Sequence, residues 1–305
     1  MIVYHPVDDL AFVCALWNRE VGFIYPIADD VFSRNVINYP TKRVFGAYDE
    51  TQLVGFIITK TSTDSLLPAY LDRGWISLFY VAKKYRYQGI GSTLLRQAED
   101  VLADKKEIWV GSDLFNFFPG VPTDFDNLTD VWLTKRGYYG SRSTHDMIIR
   151  SFQDLPIRNY DIEFSVATKI DEVGLIELLK TFSDRWAQEG IRYFEAGGTG
   201  REYVIAKDQG KIIAFARIND REAPFGGYNI TWYPRFVNLG GVGPLGVNKI
   251  YQGRGLGNDI VVYALKEMQE RKMIEVMIDW TGLVSFYQQF GFEVWKTYKY
   301  MSKKS

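Results

Sequence analysis

The stretch Val81-Ala-Lys-Lys-Tyr-Arg86-Tyr-Gln-Gly89-Ile-Gly91 decides the fold, because a close copy of it occurs later in the same chain. The copy is Val247-Asn-Lys-Ile-Tyr-Gln252-Gly-Arg-Gly255-Leu-Gly257, and a constant shift of 166 residues aligns the two stretches. Five of the eleven aligned positions are identical, among them two glycines in each stretch. An internal repeat of this kind indicates two domains with one architecture.

The residues around each glycine stretch predict the same order of elements. Apolar residues recur at helical spacing after each stretch, so each stretch opens an amphipathic helix. Residues 75–81 are aromatic and β-branched and predict a strand, whereas residues 241–247 hold three glycines and a proline, which favours a bulged strand. Hairpins are predicted over residues 45–58 and 203–216. Each half therefore reads as helix, hairpin, strand, glycine stretch, helix, strand, helix and strand.

Length and composition limit the classes of protein that this chain can be. A length of 305 residues favours two domains, and the proline-containing segment between the repeats predicts domains at residues 1–152 and 160–305. With 36 Lys and Arg against 37 Asp and Glu, the near-neutral charge argues against nucleic acid as a partner. The sequence shows no basic-then-apolar leader and no apolar run near 18 residues, which predicts a cytoplasmic protein without a membrane partner.

Glycines at fixed spacing before a helix predict a binding site for a phosphate-bearing ligand. They allow several backbone N–H groups to converge on one point, where the positive end of the helix dipole adds to them. Neither stretch has the Lys-Ser/Thr ending of a P-loop. The run Gly241-Val-Gly-Pro-Leu-Gly246 spells G-x-G-x-x-G, but it precedes another loop and no helix, so we interpret that match as coincidence.

A strand, an Arg/Gln-x-x-Gly-x-Gly hexamer and a helix together resemble the acyl-CoA signature of the GNAT superfamily of N-acyltransferases. The resemblance extends over nearly the whole chain as two copies. It implies an α/β (α+β) fold of two domains, each a mixed, mostly antiparallel sheet that is flanked by helices and splays between its fourth and fifth strands. It also implies acetyl-CoA as cosubstrate. The residues implied to hold it are Val81, Arg86, Gln88, Gly89, Ile90 and Gly91 in the first half, and Val247, Gln252, Gly253, Arg254, Gly255, Leu256 and Gly257 in the second.

The resemblance also assigns the chemistry to one half. Many GNAT enzymes carry a tyrosine four residues before the glycine of their terminal Gly-Phe, where it protonates the departing thiolate. Tyr287 matches that position, whereas the first half has Leu133 there, and leucine cannot donate a proton. We therefore expect catalysis in the C-terminal domain and a cofactor-binding or structural role for the N-terminal one. Trp75 and Gly241 occupy the position of the family's glutamate base, which leaves Asp279, a water-relayed base or a partly neutral amine as alternatives.

The acceptor is the least defined part of the function. A primary amine of a small molecule or peptide is the expected substrate. Residues 219–236 are rich in aromatics and glycine and line either an acceptor pocket or an interdomain surface. His5 and His145 lie far from the motifs, so no metal site is expected. Two alternatives stay open: a non-catalytic acyl-CoA-binding, sensing or scaffold protein, and a tRNA-dependent aminoacyl transferase.

Overall fold

The chain forms two compact units in the computed structural model, which describes residues 1–125, 128–224 and 227–304. The first unit consists of Met1–Thr144 together with Lys296–Ser305, and the second of His145–Trp295.

The strands and helices recur in a similar order in the two units. The strands are β1 (Ile2–Pro6), β2 (Lys42–Asp49), β3 (Gln52–Thr61), β4 (Arg73–Val81), β5 (Glu107–Val110), β6 (Val121–Pro122), β7 (Tyr139–Ile149), β8 (Glu163–Val166), β9 (Tyr203–Asp208), β10 (Lys211–Asn219), β11 (Leu239–Val247), β12 (Glu275–Thr281) and β13 (Glu293–Lys304). The helices are α1 (Ala11–Val21), α2 (Asp29–Phe32), α3 (Pro68–Leu71), α4 (Ile90–Val101), α5 (Thr129–Thr134), α6 (Glu172–Lys180), α7 (Asp184–Glu195), α8 (Leu256–Glu270) and α9 (Val284–Gln288).

Each unit is built on a mixed, mostly antiparallel sheet, as the family resemblance implies. In the first unit the order is β1-β2-β3-β4-β5-β13, and in the second it is β7-β12-β11-β10-β9-β8. Only β4 with β5 and β11 with β12 are parallel neighbours among the described pairs. Both predicted hairpins are confirmed as β2–β3 and β9–β10. Gly210 lies in the second hairpin turn at φ +80°, a conformation that glycine adopts without strain.

The two parallel pairs splay apart after a short stretch of pairing. β4 pairs with β5 only from Arg73 to Ile76, and β11 pairs with β12 only from Leu239 to Gly241. Beyond these points β4 and β11 continue to Val81 and Val247, so a gap opens in each sheet. The gap leads toward the glycine stretch that follows each of these strands.

The units differ in extent from the domains expected at residues 1–152 and 160–305. Residues 145–149 of β7 pair with β12 inside the second unit, and the last residues of β13 pair with β5 inside the first. The halves therefore exchange their final strands. A single cut between residues 152 and 160 would separate each unit from one of its strands.

Each half also begins with a strand that the sequence did not predict. β1 and β8 are short edge strands of 5 and 4 residues. None of their residues is fully buried, so they carry little of the buried and exposed alternation by which strands are recognised. Within the described residues, no helix is long and apolar enough to cross a bilayer. The same residues include no group of three His, Cys, Asp or Glu side chains placed to hold a metal ion.

Candidate functional site

The first glycine loop, residues 86–91, connects the end of β4 to α4. Its backbone is held by Arg86, whose Nε donates a hydrogen bond to the carbonyl of Val81 at 3.0 Å. Tyr85, just before the loop, is fixed by a 3.1 Å bond from its hydroxyl to Asp49 Oδ2. Gly89 takes φ +82° and directly precedes α4. Side-chain hydrogen bonds therefore fix the start of the loop, and the positive φ of Gly89 turns the backbone sharply at its end.

The second glycine loop, residues 252–257, repeats this arrangement between β11 and α8. Gln252 Nε2 donates to the carbonyl of Val247 at 3.1 Å, and the Tyr251 hydroxyl bonds Asp208 Oδ2 at 2.9 Å. Gly255 takes φ +81° before α8 begins. Arg86 and Gln252 can alternate at this position because each offers a side-chain N–H that reaches the last carbonyl of the strand. In the structure both side chains bond the backbone carbonyl at the end of the preceding strand.

The glycines of both loops border open space, which fits a site for a phosphate group. A Cβ built on Gly89 or Gly253 would meet no atom within 4 Å, and on Gly255 it would meet only Asn159 Nδ2, at 3.8 Å. Packing within the protein therefore does not require glycine there. The first N–H groups of a helix have no carbonyl partner in the preceding turn, so amides of α4 and α8 are offered to this space. The arrangement suits the pyrophosphate of a CoA thioester.

A cavity of about 410 Å³ adjoins the first loop. We call it the loop cavity. Arg86 and Arg136 lie on its wall, and the Arg136 guanidinium stacks 3.8 Å from the ring centre of Trp132. Its other lining residues are Phe79, Tyr80, Val81, Tyr87, Gly89, Gly91, Ser92, Phe125, Leu128, Thr129 and Trp132. The mixture of two cations, glycine backbone and apolar rings matches a ligand with a charged and an apolar end.

In the second unit two titratable side chains follow the last paired residues of β11 and β12: Asp279 lies on β12 beyond that pairing, and Tyr287 is buried on α9. Burial, and then the negative charge of Asp146, raise the pKa of Asp279 on β12 to about 7, although part of its side chain still reaches the surface. Burial raises the pKa of the Tyr287 phenol on α9, and the charge of Asp279 raises it further. The charge of the Asp279 carboxylate thus acts on the Tyr287 phenol. These are the two side chains that the sequence predicts as catalytic, and their roles stay predictions.

The corresponding gap of the first unit carries neither group. Strand pairing makes Glu107 the counterpart of Glu275, so Gly111 is the counterpart of Asp279. Ser112 and Trp280, the residues that follow, both have positive φ, of 62° and 51°, which supports the alignment. Leu133 on α5 takes the place of Tyr287 and is buried. The two gaps thus correspond in strand pairing and differ in the side chains at these two positions.

The aromatic segment 219–236 packs into the second unit at several points. Asn229 and Trp232 are almost fully buried. Asn229 accepts a hydrogen bond from Asn219 at 3.0 Å and donates one to the carbonyl of Gly243 at 3.2 Å. These two hydrogen bonds of Asn229 therefore connect the segment to β10 and β11. Phe225 and Gly226 of this segment lie outside the described residues.

Several residues at the loops were missed from the sequence. Arg136 donates a 2.7 Å hydrogen bond to Ser92 in the first turn of α4, and the Tyr80 hydroxyl approaches Glu20 at 3.4 Å. In the second unit, Asn159 donates to the carbonyl of Arg254 at 3.2 Å and to Asp259 at 2.6 Å. These contacts join residues far apart in sequence, so no local pattern indicates them.

Comparison with known proteins agrees with this geometry. The acetyltransferase (GNAT) family matches the chain twice, at residues 10–117 and 174–292. A curated relative, N-alpha-acetyltransferase 30 of Dictyostelium discoideum, is 37% identical over 73 residues, covering 24% of this chain and 37% of that protein. The chain thus matches little more than a third of the length of that curated relative.

Solved structures share the fold at low identity. The GCN5-related glucosamine N-acetyltransferase region of a fungal multi-domain GH3 beta-N-acetylglucosaminidase is 22% identical with a TM-score of 0.87, covering 99% of this chain and 38% of that one. A tandem GNAT protein from the clavulanic acid biosynthesis pathway is 13% identical with a TM-score of 0.68, covering 100% and 98%. A GCN5-related N-acetyltransferase from Sphaerobacter thermophilus is 14% identical with a TM-score of 0.70, covering 99% and 95%. With the family matched in both halves, the chain belongs to the acetyltransferase (GNAT) family and contains two GNAT domains in tandem.

Proposed function

We propose that the protein transfers an acetyl group from acetyl-CoA to a primary amine of a small molecule or peptide, and that the second unit performs the transfer. The observation that carries this proposal is the position of two titratable side chains in that unit: Asp279 lies on β12 beyond its last pairing with β11, and Tyr287 is buried on α9. The charge of the carboxylate also raises the pKa of the phenol. The first unit has Gly111 and Leu133 at the corresponding positions.

The two side chains suit the two proton transfers of the reaction. The amine nitrogen attacks the thioester carbonyl, a C–N bond forms and the C–S bond breaks. Asp279, with its pKa raised to about 7, takes the proton that the amine loses, because a base works best when its pKa lies near the working pH. Tyr287 gives a proton to the departing thiolate. Its raised pKa keeps the phenol protonated until then, and the phenol becomes a better donor once Asp279 has taken the proton of the amine, because the carboxylate charge is one cause of the raised pKa.

The second loop provides the direct test of this proposal. Acetyl-CoA at about 100 times its dissociation constant should stabilise the protein by roughly 2.7 kcal/mol. Gly255→Asp places a side chain and a negative charge in the loop, so it should abolish turnover and reduce this stabilisation. Thermal melts with and without acetyl-CoA, and a thiol-release assay over a panel of amines, measure both effects.

A matched control separates the effect of a side chain in the second glycine loop from the effect of backbone strain at a glycine with positive φ. Gly197 also has positive φ, +91°, and a Cβ there would meet no atom within 4 Å. Gly197→Asp thus introduces the same side chain into a similar conformation outside the loop, and it should keep turnover. Full activity in Gly255→Asp together with inactivation by Gly89→Asp would move the chemistry into the first unit. A melting curve unaffected by acetyl-CoA in the wild-type protein would end the acyl-CoA proposal.

A further inference from the structure

The splayed gap of the first unit contains a second cavity, of about 90 Å³, which we call the gap cavity. Its walls are mainly apolar, and Ile76, Leu78, Val110, Phe118 and Leu133 form much of its surface. It lies between β4 and β5, where the two strands no longer pair. An apolar space of this kind favours an apolar ligand group, because burying that group removes hydrocarbon from water.

The gap cavity adjoins the loop cavity. Phe79, Phe125 and Thr129 line both, so the two cavities are separated by no more than these three side chains. The anionic end of a bound ligand would lie by the amides of residues 89–91 and the two arginines of the loop cavity. Its far end would lie among hydrocarbon side chains.

The gap cavity is lined by the residues of the first unit that correspond to Tyr287 and Asp279 of the second. Leu133 and Gly111 line it, and their counterparts Tyr287 and Asp279 are larger or charged side chains. The first unit therefore has room and apolar walls where the second has an acid and a base. We propose that the first unit binds a CoA thioester whose acyl chain is longer than acetyl, with the chain in the gap cavity, and does not transfer it. This inference rests on the proposed binding of acyl-CoA by the glycine loops.

The size of the gap cavity sets the length of the chain. A cavity of about 150 Å³ lined by Leu, Ile and Phe accepts benzene, which has six carbons. On that scale about 90 Å³ accommodates about four carbons, so an acyl chain of about four carbons fits best. Each buried methylene group strengthens binding about four-fold. Butyryl-CoA, which has two more methylene groups, should therefore bind about 15-fold more tightly than acetyl-CoA.

The test uses the full chain with the second loop disabled by Gly255→Asp, so that the first unit dominates binding. Acetyl-, butyryl-, hexanoyl- and decanoyl-CoA are titrated by calorimetry. We expect affinity to rise from acetyl to butyryl and not to rise further for hexanoyl or decanoyl, and we expect no release of free CoA when amines are added. Equal affinity for acetyl- and butyryl-CoA, or transfer of the butyryl group to an amine, would overturn the inference.

Two substitutions at Leu133 act in opposite directions. Leu133→Phe fills part of the gap cavity and should remove the preference for butyryl-CoA while acetyl-CoA still binds. Leu133→Ala enlarges the cavity and should move the preferred chain length upward, so the test stands even where the larger side chain prevents folding. If the wild-type chain binds no acyl-CoA at all, the proposed function fails. If acetyl-CoA binds with no effect of chain length, only the present inference fails.

Discussion

Asp279 is the residue whose acidity is most informative about the reaction. Its pKa of about 7 has burial as the largest cause and the charge of Asp146 as the second. A raised pKa means that the carboxyl is protonated, and cannot act as a base, below about pH 7. We expect kcat/KM to rise with pH through this region and then to level off.

Replacement of Asp279 separates its titration from that of the substrate amine. Asp279→Asn should lower kcat and remove the rise near pH 7, whereas Asp279→Glu should retain a rise in the same range, because a carboxylate remains. The measurement is kcat/KM for one amine between about pH 5.5 and 9. If the pH profile of Asp279→Asn is the same as that of the wild type, a group other than Asp279 is the base.

Tyr287 permits a second test at the residue scale. Tyr287→Phe keeps the ring and removes only the hydroxyl, so fold and acetyl-CoA affinity should be unchanged. Turnover should fall about 10²-fold, the low end for a positioned acid. Stopped assays of thiol release, with calorimetric binding as the control, measure both quantities. Leu133→Tyr is the matched variant in the first unit, and it should create no activity, because Gly111 there offers no base.

At the scale of elements, the glycine loops show what the sequence could predict. The spacing in the two repeats identified both loops, the helices after them and the hairpins before them. The same reasoning could not assign the roles of Arg86 and Gln252. Each side chain donates a hydrogen bond to the last carbonyl of the preceding strand, at 3.0 and 3.1 Å. This bond depends on how the loop folds back on the strand, which the residue types alone do not show.

The loop bond itself can be tested in the second unit. Gln252→Ala removes the bond to Val247 and should weaken acetyl-CoA binding about five-fold, the value of one net hydrogen bond of about 1 kcal/mol. Gln252→Arg introduces the residue found in the first loop and should restore the affinity. Calorimetric titration compares the three proteins. Equal affinity of Gln252→Ala and wild type would show that the loop keeps its shape without this bond.

The strand β11 explains why a glycine-rich run can still be a strand. A Cβ on Gly241 would lie 2.2 Å from Asn229 Oδ1, and one on Gly246 would lie 2.7 Å from the ring of Phe182. These glycines make room for side chains from other elements. The pairing of β10 with β11 shifts register between Ala216 and Ile218, as expected for a bulged strand. The partners of such glycines come from distant parts of the chain, so the sequence predicts the bulge and not its cause.

At the scale of the whole molecule, the exchange of final strands was beyond prediction from the sequence. Two similar halves offer similar last strands, and the alternation of apolar residues in a strand does not state which sheet it will join. Residues 147–149 of β7 are buried in the core of the second unit, and Tyr298 and Met301 of β13 are wholly buried in the first. Each unit thus obtains a strand from the other half of the sequence.

This exchange predicts how the two halves behave when they are separated. Fragments 1–152 and 160–305 each lack a strand that their unit requires, and the loss of such a strand should exceed the 5–15 kcal/mol by which a domain is typically stable. Neither fragment alone should unfold cooperatively in urea, as followed by circular dichroism. Mixing or coexpressing the two fragments should restore a cooperative transition and acetyl-CoA binding. Residues 145–295, which contain every strand of the second unit, serve as the control and should fold alone. A cooperative transition for fragment 1–152 would mean that β13 is dispensable to the first unit.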